Sequence, residues 1–135
     1  MLETVYNEPT MKVDGQKALT ILDKAREEKK KSSNERALSL FQEYLSMVDP
    51  SFTHGVWFSM AEIYFETNRL PNALTHCEKA LEIMKEFTPA LELKVKIHKR
   101  LGNENLALQD KQKLDELERI EKAKWDDPNH YYHYK

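Results

Sequence analysis

The fold is decided by residues 57–81, which read WFSMAEIYFETNRLPNALTHCEKAL. The first half carries four residues at helical spacing, which places them on one helix face: Trp57, Met60, Ala61 and Tyr64. The second half carries a similar stripe after a polar turn: Ala73, Cys77, Ala80 and Leu81. Because Ala73 has a short side chain, it allows two helices to approach closely. The stretch therefore predicts two antiparallel helices joined by a short turn at Asn68-Arg69.

The same pattern occurs once before this stretch and once after it. Ala37 lies 36 residues before Ala73, and Ala107 lies 34 residues after it, each within a similar sequence. Self-similarity at this period is typical of stacked helical repeats. Polar breaks within and between the repeats predict six helices, at 16–31, 34–48, 54–67, 71–86, 88–101 and 104–124.

The repeated residues resemble the signature of the tetratricopeptide-repeat (TPR) family. The second unit matches it best, with residues of the expected types at Trp57, Ala61, Tyr64, Ala73, Ala80 and Leu81. The first unit matches it more weakly, at Ile21, Ala25, Ala37, Phe41, Tyr44 and Leu45. The third unit departs from it, since Val95 stands where a small residue is usual and His98 where an aromatic one is. Terminal repeats are commonly atypical because they also cap the stack.

The resemblance implies an all-α fold, a right-handed superhelix of antiparallel helix pairs. The first helix of each pair would line a concave groove that binds another protein. On this interpretation, residues 1–15 form an irregular or weakly helical lead-in, 16–124 a three-repeat domain, and 125–135 an aromatic C-terminal tail. An unrelated helical bundle is the alternative.

Composition argues against several classes of function. The chain has 135 residues and a net charge of −2, whereas nucleic-acid binding usually needs a clear basic excess. Cys77 is the only cysteine, which rules out an internal disulfide and a multi-cysteine metal site. The chain begins without the pattern of a secretory signal and has no apolar stretch of about 20 residues. We therefore expect a soluble intracellular protein, cytoplasmic or nuclear, that binds neither nucleic acid nor membrane.

Catalytic motifs are not apparent in the sequence. It has no Gly-rich phosphate loop, no His-Glu-x-x-His helix, and no nucleophile with an evident base. Cys77 is predicted to be a packed hydrophobic residue and not a nucleophile. We therefore predict that the protein is not an enzyme and needs no cofactor.

The C-terminal tail has two features of interest. Four aromatic residues occur within a short stretch: Trp125, Tyr131, Tyr132 and Tyr134. Such side chains are stabilised by burial, so we expect them to dock on this domain or on a partner. The tail also holds His130 and His133 beside two carboxylates, which are ligand types that zinc and nickel accept. Because nothing fixes their geometry, metal binding is only a minor alternative.

Basic charge is concentrated on two of the three helices that would line the groove. The helix at 16–31 has six basic and three acidic residues, and the helix at 88–101 has four basic and one acidic. We therefore expect an acidic segment to be attracted there by four residues in particular: Arg26, Lys96, Lys99 and Arg100. The alternative is that these side chains belong to ordinary solvated faces.

Two aromatic residues of the middle groove helix are candidate anchors for a ligand. Phe58 and Phe65 are seven residues apart and share a helix face with Glu62, beside the packing stripe. In a TPR alignment this face looks into the groove, where exposed aromatic residues commonly dominate binding. Packing of both rings on neighbouring segments is the alternative.

The best-known TPR activity is not expected here. Co-chaperone TPR domains hold the C-terminal carboxylate of heat-shock chaperones with a clamp of Lys, Asn and Arg. The matching positions in this sequence are Leu22, Arg26, Ser59, Pro89 and Leu93, of which only Arg26 can bind a carboxylate. We therefore predict an adaptor whose groove binds an acidic or aromatic-anchored segment of another partner. A stoichiometric subunit buried through its tail and convex face is the alternative.

Overall fold

The computed structural model describes residues 7–126, with side-chain surroundings from Gly15 onward. Six helices make up this part of the chain: α1 (Asn7–Lys30), α2 (Asn34–Met47), α3 (His54–Glu66), α4 (Leu70–Ile83), α5 (Thr88–Arg100) and α6 (Glu104–Asp126). They pack as three antiparallel pairs, α1/α2, α3/α4 and α5/α6, and each pair stacks on the next. The predicted all-α repeat architecture is confirmed.

The turns inside the three pairs have the same backbone structure. Each places one residue in the left-handed region, with φ of 63°, 59° and 80° at Ser32, Asn68 and Gly102. The N–H of the following residue then donates to a carbonyl five residues back, at 2.9, 2.7 and 2.8 Å, in the pairs Ser33 to Glu28, Arg69 to Tyr64 and Asn103 to His98. This is the Schellman arrangement, which satisfies the free carbonyls at a helix end. It reverses the chain in the same way in all three repeats.

The core runs through the contacts between and within the pairs. It includes four fully buried alanines on the first four helices, namely Ala25, Ala37, Ala61 and Ala73. Phe41, Met60 and Ile97 fill the space between them. A smaller second cluster joins α5 to α6 through Leu91, Val95, Ala107 and Leu114. Among the described helices, none has both the length and the apolar composition needed to cross a bilayer.

The N-terminal boundary differs from the prediction. The segment 1–15 was expected to be irregular or weakly helical and the first long helix to begin at 16, whereas α1 already begins at Asn7. Pro9 falls in the first turn of the helix, where its missing N–H has no helical acceptor to lose. Gly15 lies inside α1, where it costs about 1 kcal/mol relative to alanine but does not break the helix. Because Pro9 and Gly15 usually break helices, the sequence placed the start of the first helix too late in the chain.

The C-terminal boundary also differs. We predicted that the last helix ends at 124, yet α6 continues to Asp126 and includes Trp125. Trp125 is thus a helical residue, and its docking on this domain or on a partner stays a prediction. Residues 127–135 lie outside the described part of the chain, together with the predicted docking of Tyr131, Tyr132 and Tyr134 and the histidines His130 and His133.

A candidate protein-binding face

The first helices of the three pairs, α1, α3 and α5, lie side by side and form one surface, the first-helix face. Side chains connect them across α3. Lys29 Nζ of α1 lies 3.0 Å from Glu62 Oε1 of α3. On the other side, the guanidinium carbon of Arg100 from α5 lies 4.2 Å from the centroid of the Phe65 ring. The predicted face of α3 is therefore flanked by a cation on each side.

Phe58 and Phe65 are half-buried, whereas we expected exposed anchors. Both pack against the main core cluster while part of each ring remains accessible. The Phe58 ring also meets the edge of Phe87, with 5.6 Å between centroids, and Phe87 meets His54 at 4.7 Å. The two phenylalanines thus stabilise the fold as well as offering aromatic surface.

The charge on this face is mainly positive near α1. Glu62 is already paired with Lys29, so it does not present a free carboxylate. Arg26 is exposed one helical turn before Lys29 and shares its side of α1. Because the Lys29–Glu62 pair is partly exposed, it adds little stability.

Lys96 and Lys99 lie apart from this group. They line a depression of about 370 Å³ on the side of α5 that faces α6, together with Lys111 and Glu118 of α6. The predicted groove residues are therefore divided between two surfaces. Glu62, Phe65 and Arg100 meet on the first-helix face, while Lys96 and Lys99 belong to the open end of the stack.

The positions of the chaperone clamp carry no second basic residue besides Arg26. Leu22 and Leu93 are buried in the core cluster, and Ser59 and Pro89 are half-buried. Arg26 is the exposed basic residue of this set. The burial of the two leucines explains why apolar residues occupy positions that are polar in the clamp.

A polar cluster between α5 and α6 was missed by the sequence analysis. Asp110 Oδ1 lies 3.6 Å from Lys94 Nζ, and its Oδ2 lies 3.7 Å from His98 Nε2. His98 is buried, and its Nδ1 has no hydrogen-bond partner among the described residues. The 34-residue period could have revealed the cluster, since it aligns His98 with Tyr64 and Asp110 with His76.

Cys77 is fully buried in α4, as predicted for a packed residue. Loss of hydration raises the pKa of its thiol to about 12 from the usual 9.0, although nearby Lys94 lowers it somewhat. The thiol therefore stays protonated at neutral pH and is shielded from reagents. Its role in the described structure is packing.

An exposed aromatic residue in the turn between α2 and α3 was also missed. Phe52 is 88% exposed and has a φ of 62°, a left-handed conformation that is costly for a bulky residue. The turn is ordered by a hydrogen bond from the Ser51 N–H to Asp49 and another from the Thr53 hydroxyl to the Pro50 carbonyl. Phe52 lines an apolar cavity of about 500 Å³.

At the end of α6, Trp125 is half exposed, and its Nε1 donates to Glu121 Oε2 at 2.7 Å. This bond joins residues one turn apart on the same helix. Within residues 15–126, whose side chains the structure describes, no three His, Cys, Asp or Glu side chains are arranged to hold a metal ion.

Comparison with known proteins supports the fold alone. Neither a family model nor a curated protein matches the sequence. Solved structures do match, among them the one described as "First TPR of Spaghetti (RPAP3) bound to HSP90 peptide SRMEEVD". The two chains are 22% identical, with a TM-score of 0.68, and the match covers 77% of this chain and 83% of that one. The chain therefore folds as a TPR-like solenoid of three helix pairs.

Proposed function

We propose that this protein is a non-enzymatic interaction module, an adaptor whose concave first-helix face binds a segment of another protein. The observation that carries the proposal is the row of partly exposed aromatic rings on α3 with cations on both sides. Phe58 and Phe65 offer apolar surface, and Arg100 offers positive charge beside it, whereas Lys29 on the other side is paired with Glu62. Aromatic and arginine side chains dominate protein-binding sites.

The geometry of Arg100 favours an acidic ligand residue next to an apolar one. Its guanidinium group lies over the Phe65 ring, and a stacked guanidinium keeps its N–H donors free at its edge. A carboxylate can bind at that edge while a neighbouring apolar side chain contacts Phe65 or Phe58. Arg26 would add attraction from α1, and Lys96 and Lys99 would act from a distance by steering.

We further propose that the C-terminal tail of a heat-shock chaperone is not the ligand. The matched structure is described as bound to an HSP90 peptide, but a terminal carboxylate in a groove needs several convergent donors. Here the clamp positions hold buried Leu22 and Leu93 and also Pro89, which has no N–H to donate. Arg26 alone would give a weak attraction that salt removes.

The function can be tested by affinity purification with matched charge variants. The doubly substituted chain Arg26→Glu/Arg100→Glu is expected to lose the partners that the natural chain retains. The control Lys85→Glu/Lys122→Glu makes the same change in net charge away from this face and is expected to retain them. Equal retention by both variants would show that the first-helix face is not the binding site.

A stoichiometric subunit is the second candidate function. It is favoured by α6, the outer helix of the last pair, which exposes four large apolar residues: Leu106, Leu108, Ile120 and Trp125. A partner that covers α6 permanently would be retained by the Arg26→Glu/Arg100→Glu chain and lost on substitution of Leu106 and Leu108. The two candidates therefore give opposite results in the same purification.

A further inference from the structure

Helix α6 continues beyond the helix that it packs against. Since Asp110 lies between Lys94 and His98 in the antiparallel pair, Thr88 at the start of α5 comes level with about residue 118. Accordingly, every residue from 118 to 126 is exposed. This segment continues a helix that is already packed on α5, and within it Ile120 is 56% exposed. The extension is therefore a surface on which another element can pack.

One face of this extension combines apolar and charged residues. On a helix, positions three or four residues from Ile120 lie within about 60° of it. This face, called the Ile120 face below, consists of Glu116, Leu117, Ile120, Ala123 and Lys124. Leu117 is half-buried, and Ile120 is 56% exposed.

The residues of the Ile120 face are arranged so that the face is complementary to its own reversed copy. Four positions before Ile120 lies Glu116, and four positions after it lies the oppositely charged Lys124. Three positions before and after Ile120, the larger Leu117 is matched by the small Ala123. Parallel alignment would instead bring each charge against its own kind, which is unfavourable.

We propose that two copies of this chain associate through the Ile120 face, with their α6 helices antiparallel about a two-fold axis at Ile120. In this arrangement Ile120 packs on Ile120 of the partner subunit, and Leu117 packs on Ala123 of the partner subunit. Glu116 forms an ion pair with Lys124 of the partner subunit. A two-fold axis uses the same patch on both copies, so the contact closes as a dimer.

The dimer leaves the proposed ligand site accessible. The Ile120 face belongs to the outer helix of the last pair, whereas α1, α3 and α5 form the first-helix face. Two copies joined in this way would present two ligand faces, which raises the effective affinity for a partner with repeated segments. The dimer itself does not depend on the proposed function and can be tested without a ligand.

Sedimentation equilibrium over about 1–200 μM tests the association, and we expect reversible dimers in this range because the face is small. Ile120→Glu places two like charges at the axis and is expected to raise the dissociation constant at least tenfold, by roughly 1.4 kcal/mol or more. The control Lys122→Glu lies on the opposite side of the helix and is expected to change it less than about threefold. A natural chain that remains monomeric throughout would overturn the proposal.

Charge-reversal variants distinguish binding of a second copy of this chain from binding of an unrelated partner. Glu116→Lys and Lys124→Glu are each expected to weaken the dimer, because each change brings like charges together across the axis. The double variant Glu116→Lys/Lys124→Glu restores one charge of each sign in every pair and is expected to recover the natural dissociation constant. Failure of the double variant to recover it, with helicity unchanged by circular dichroism, would refute the antiparallel arrangement.

A single introduced cysteine gives an independent test. Ile120→Cys places two thiols at the axis, so mild oxidation is expected to produce a disulfide-linked dimer. Cys77 is buried and does not compete. Lys122→Cys, on the far side of the helix, is expected to remain monomeric under the same conditions. Equal cross-linking of both variants would show random collision and not this interface.

Discussion

The second and third helix pairs share a backbone plan but are held together by different chemistry. In α3/α4 the Tyr64 ring meets His76 at 4.8 Å between centroids, and Arg69 lies over the Tyr64 ring. In α5/α6 the equivalent positions hold His98 and Asp110, and Asp110 forms an ion pair with Lys94 at 3.6 Å. A repeat can therefore keep its turn and helix packing while its interface changes from aromatic to ionic.

One position on the second helix of each pair shows how the end of the stack differs from its interior. Phe41 and Cys77 are buried in the first and second pairs, where a following pair covers them. At the equivalent position of the third pair, Lys111 is exposed and its Nζ lies 2.8 Å from Asp115 Oδ1. The third pair thus has a solvated outer surface, as expected of a terminal repeat. The third pair therefore has both a polar outer surface and, beside its apolar cluster, a partly buried ion pair.

The largest loss of stability is expected when a charged residue of the third pair is introduced at the equivalent position of the second pair. Met60 is buried, and its equivalent in the third pair is Lys94, which is paired with Asp110. Met60→Lys introduces a buried charge without a carboxylate at the position of Asp110 and is expected to cost roughly 3–5 kcal/mol of unfolding free energy. Urea denaturation measures this. The control Met60→Leu is expected to cost less than about 1.5 kcal/mol. Similar stabilities for Met60→Lys and Met60→Leu would mean that the second pair can accommodate a buried lysine without a paired carboxylate.

The reverse transfer is expected to be tolerated. The triple variant Lys94→Met/His98→Tyr/Asp110→His gives α5/α6 the residues of α3/α4. Because it removes desolvated charges together and leaves none unpaired, it is expected to be neutral or stabilising by up to about 4 kcal/mol. Asp110→Ala alone leaves Lys94 without its carboxylate and is expected to be destabilising. Thermal unfolding of both variants checks this, and a triple variant weaker than Asp110→Ala would contradict it.

Replacing a buried alanine by leucine at a helix contact is expected to destabilise the second pair more than the third. Ala73 is fully buried between α3 and α4, with helix pairs on both sides. Ala73→Leu is expected to cost about 1–3 kcal/mol through overpacking. Ala107→Leu, at the equivalent position near the open end, is expected to cost less because α6 can shift outward. Chemical denaturation of both variants measures the two losses of unfolding free energy. A larger loss for Ala107→Leu than for Ala73→Leu would contradict this prediction.

The smallest effect concerns alkaline pH and the buried thiol of the second pair. Since burial raises the Cys77 pKa to about 12, the folded chain keeps its proton where the unfolded chain ionises near 9.0. Stability from this group is therefore complete below about pH 9 and is lost as pH rises toward 12. Urea unfolding at pH 8 and pH 10 is expected to show a smaller decline for Cys77→Ala than for the natural chain. Identical declines would mean that the thiol is more accessible than its burial indicates.

Most of the fold could be predicted from the sequence because its turns are marked clearly. Asn68 and Gly102 tolerate the left-handed backbone that ends a helix, so the helices between residues 34 and 104 were placed within a few residues. The start of α1 was misplaced because Pro9 and Gly15 break helices in most contexts but not in these. Local signals therefore predicted turns better than they predicted an unusually long helix.

The candidate site was less predictable for a different reason. Lys96, Lys99 and Arg100 are close in sequence on α5, but α6 decides which side of the helix is enclosed. Similarly, Lys94 and His98 look like part of a solvated face until Asp110 is brought between them. The identity of a charged residue does not show whether it faces solvent, a ligand or a partner helix.

The contacts across the first-helix face also have a mechanical consequence. Lys29–Glu62 and Arg100–Phe65 join neighbouring pairs through the ends of long side chains, outside the alanine-lined core. Long side chains can change rotamer without disturbing that core. These contacts therefore allow small movements of one helix pair relative to the next, while each pair stays rigid. The Lys29–Glu62 contact is partly exposed and is weakened by salt. We therefore expect the curvature of the solenoid to vary with ionic strength, and a ligand that bridges α1 and α5 would stiffen it.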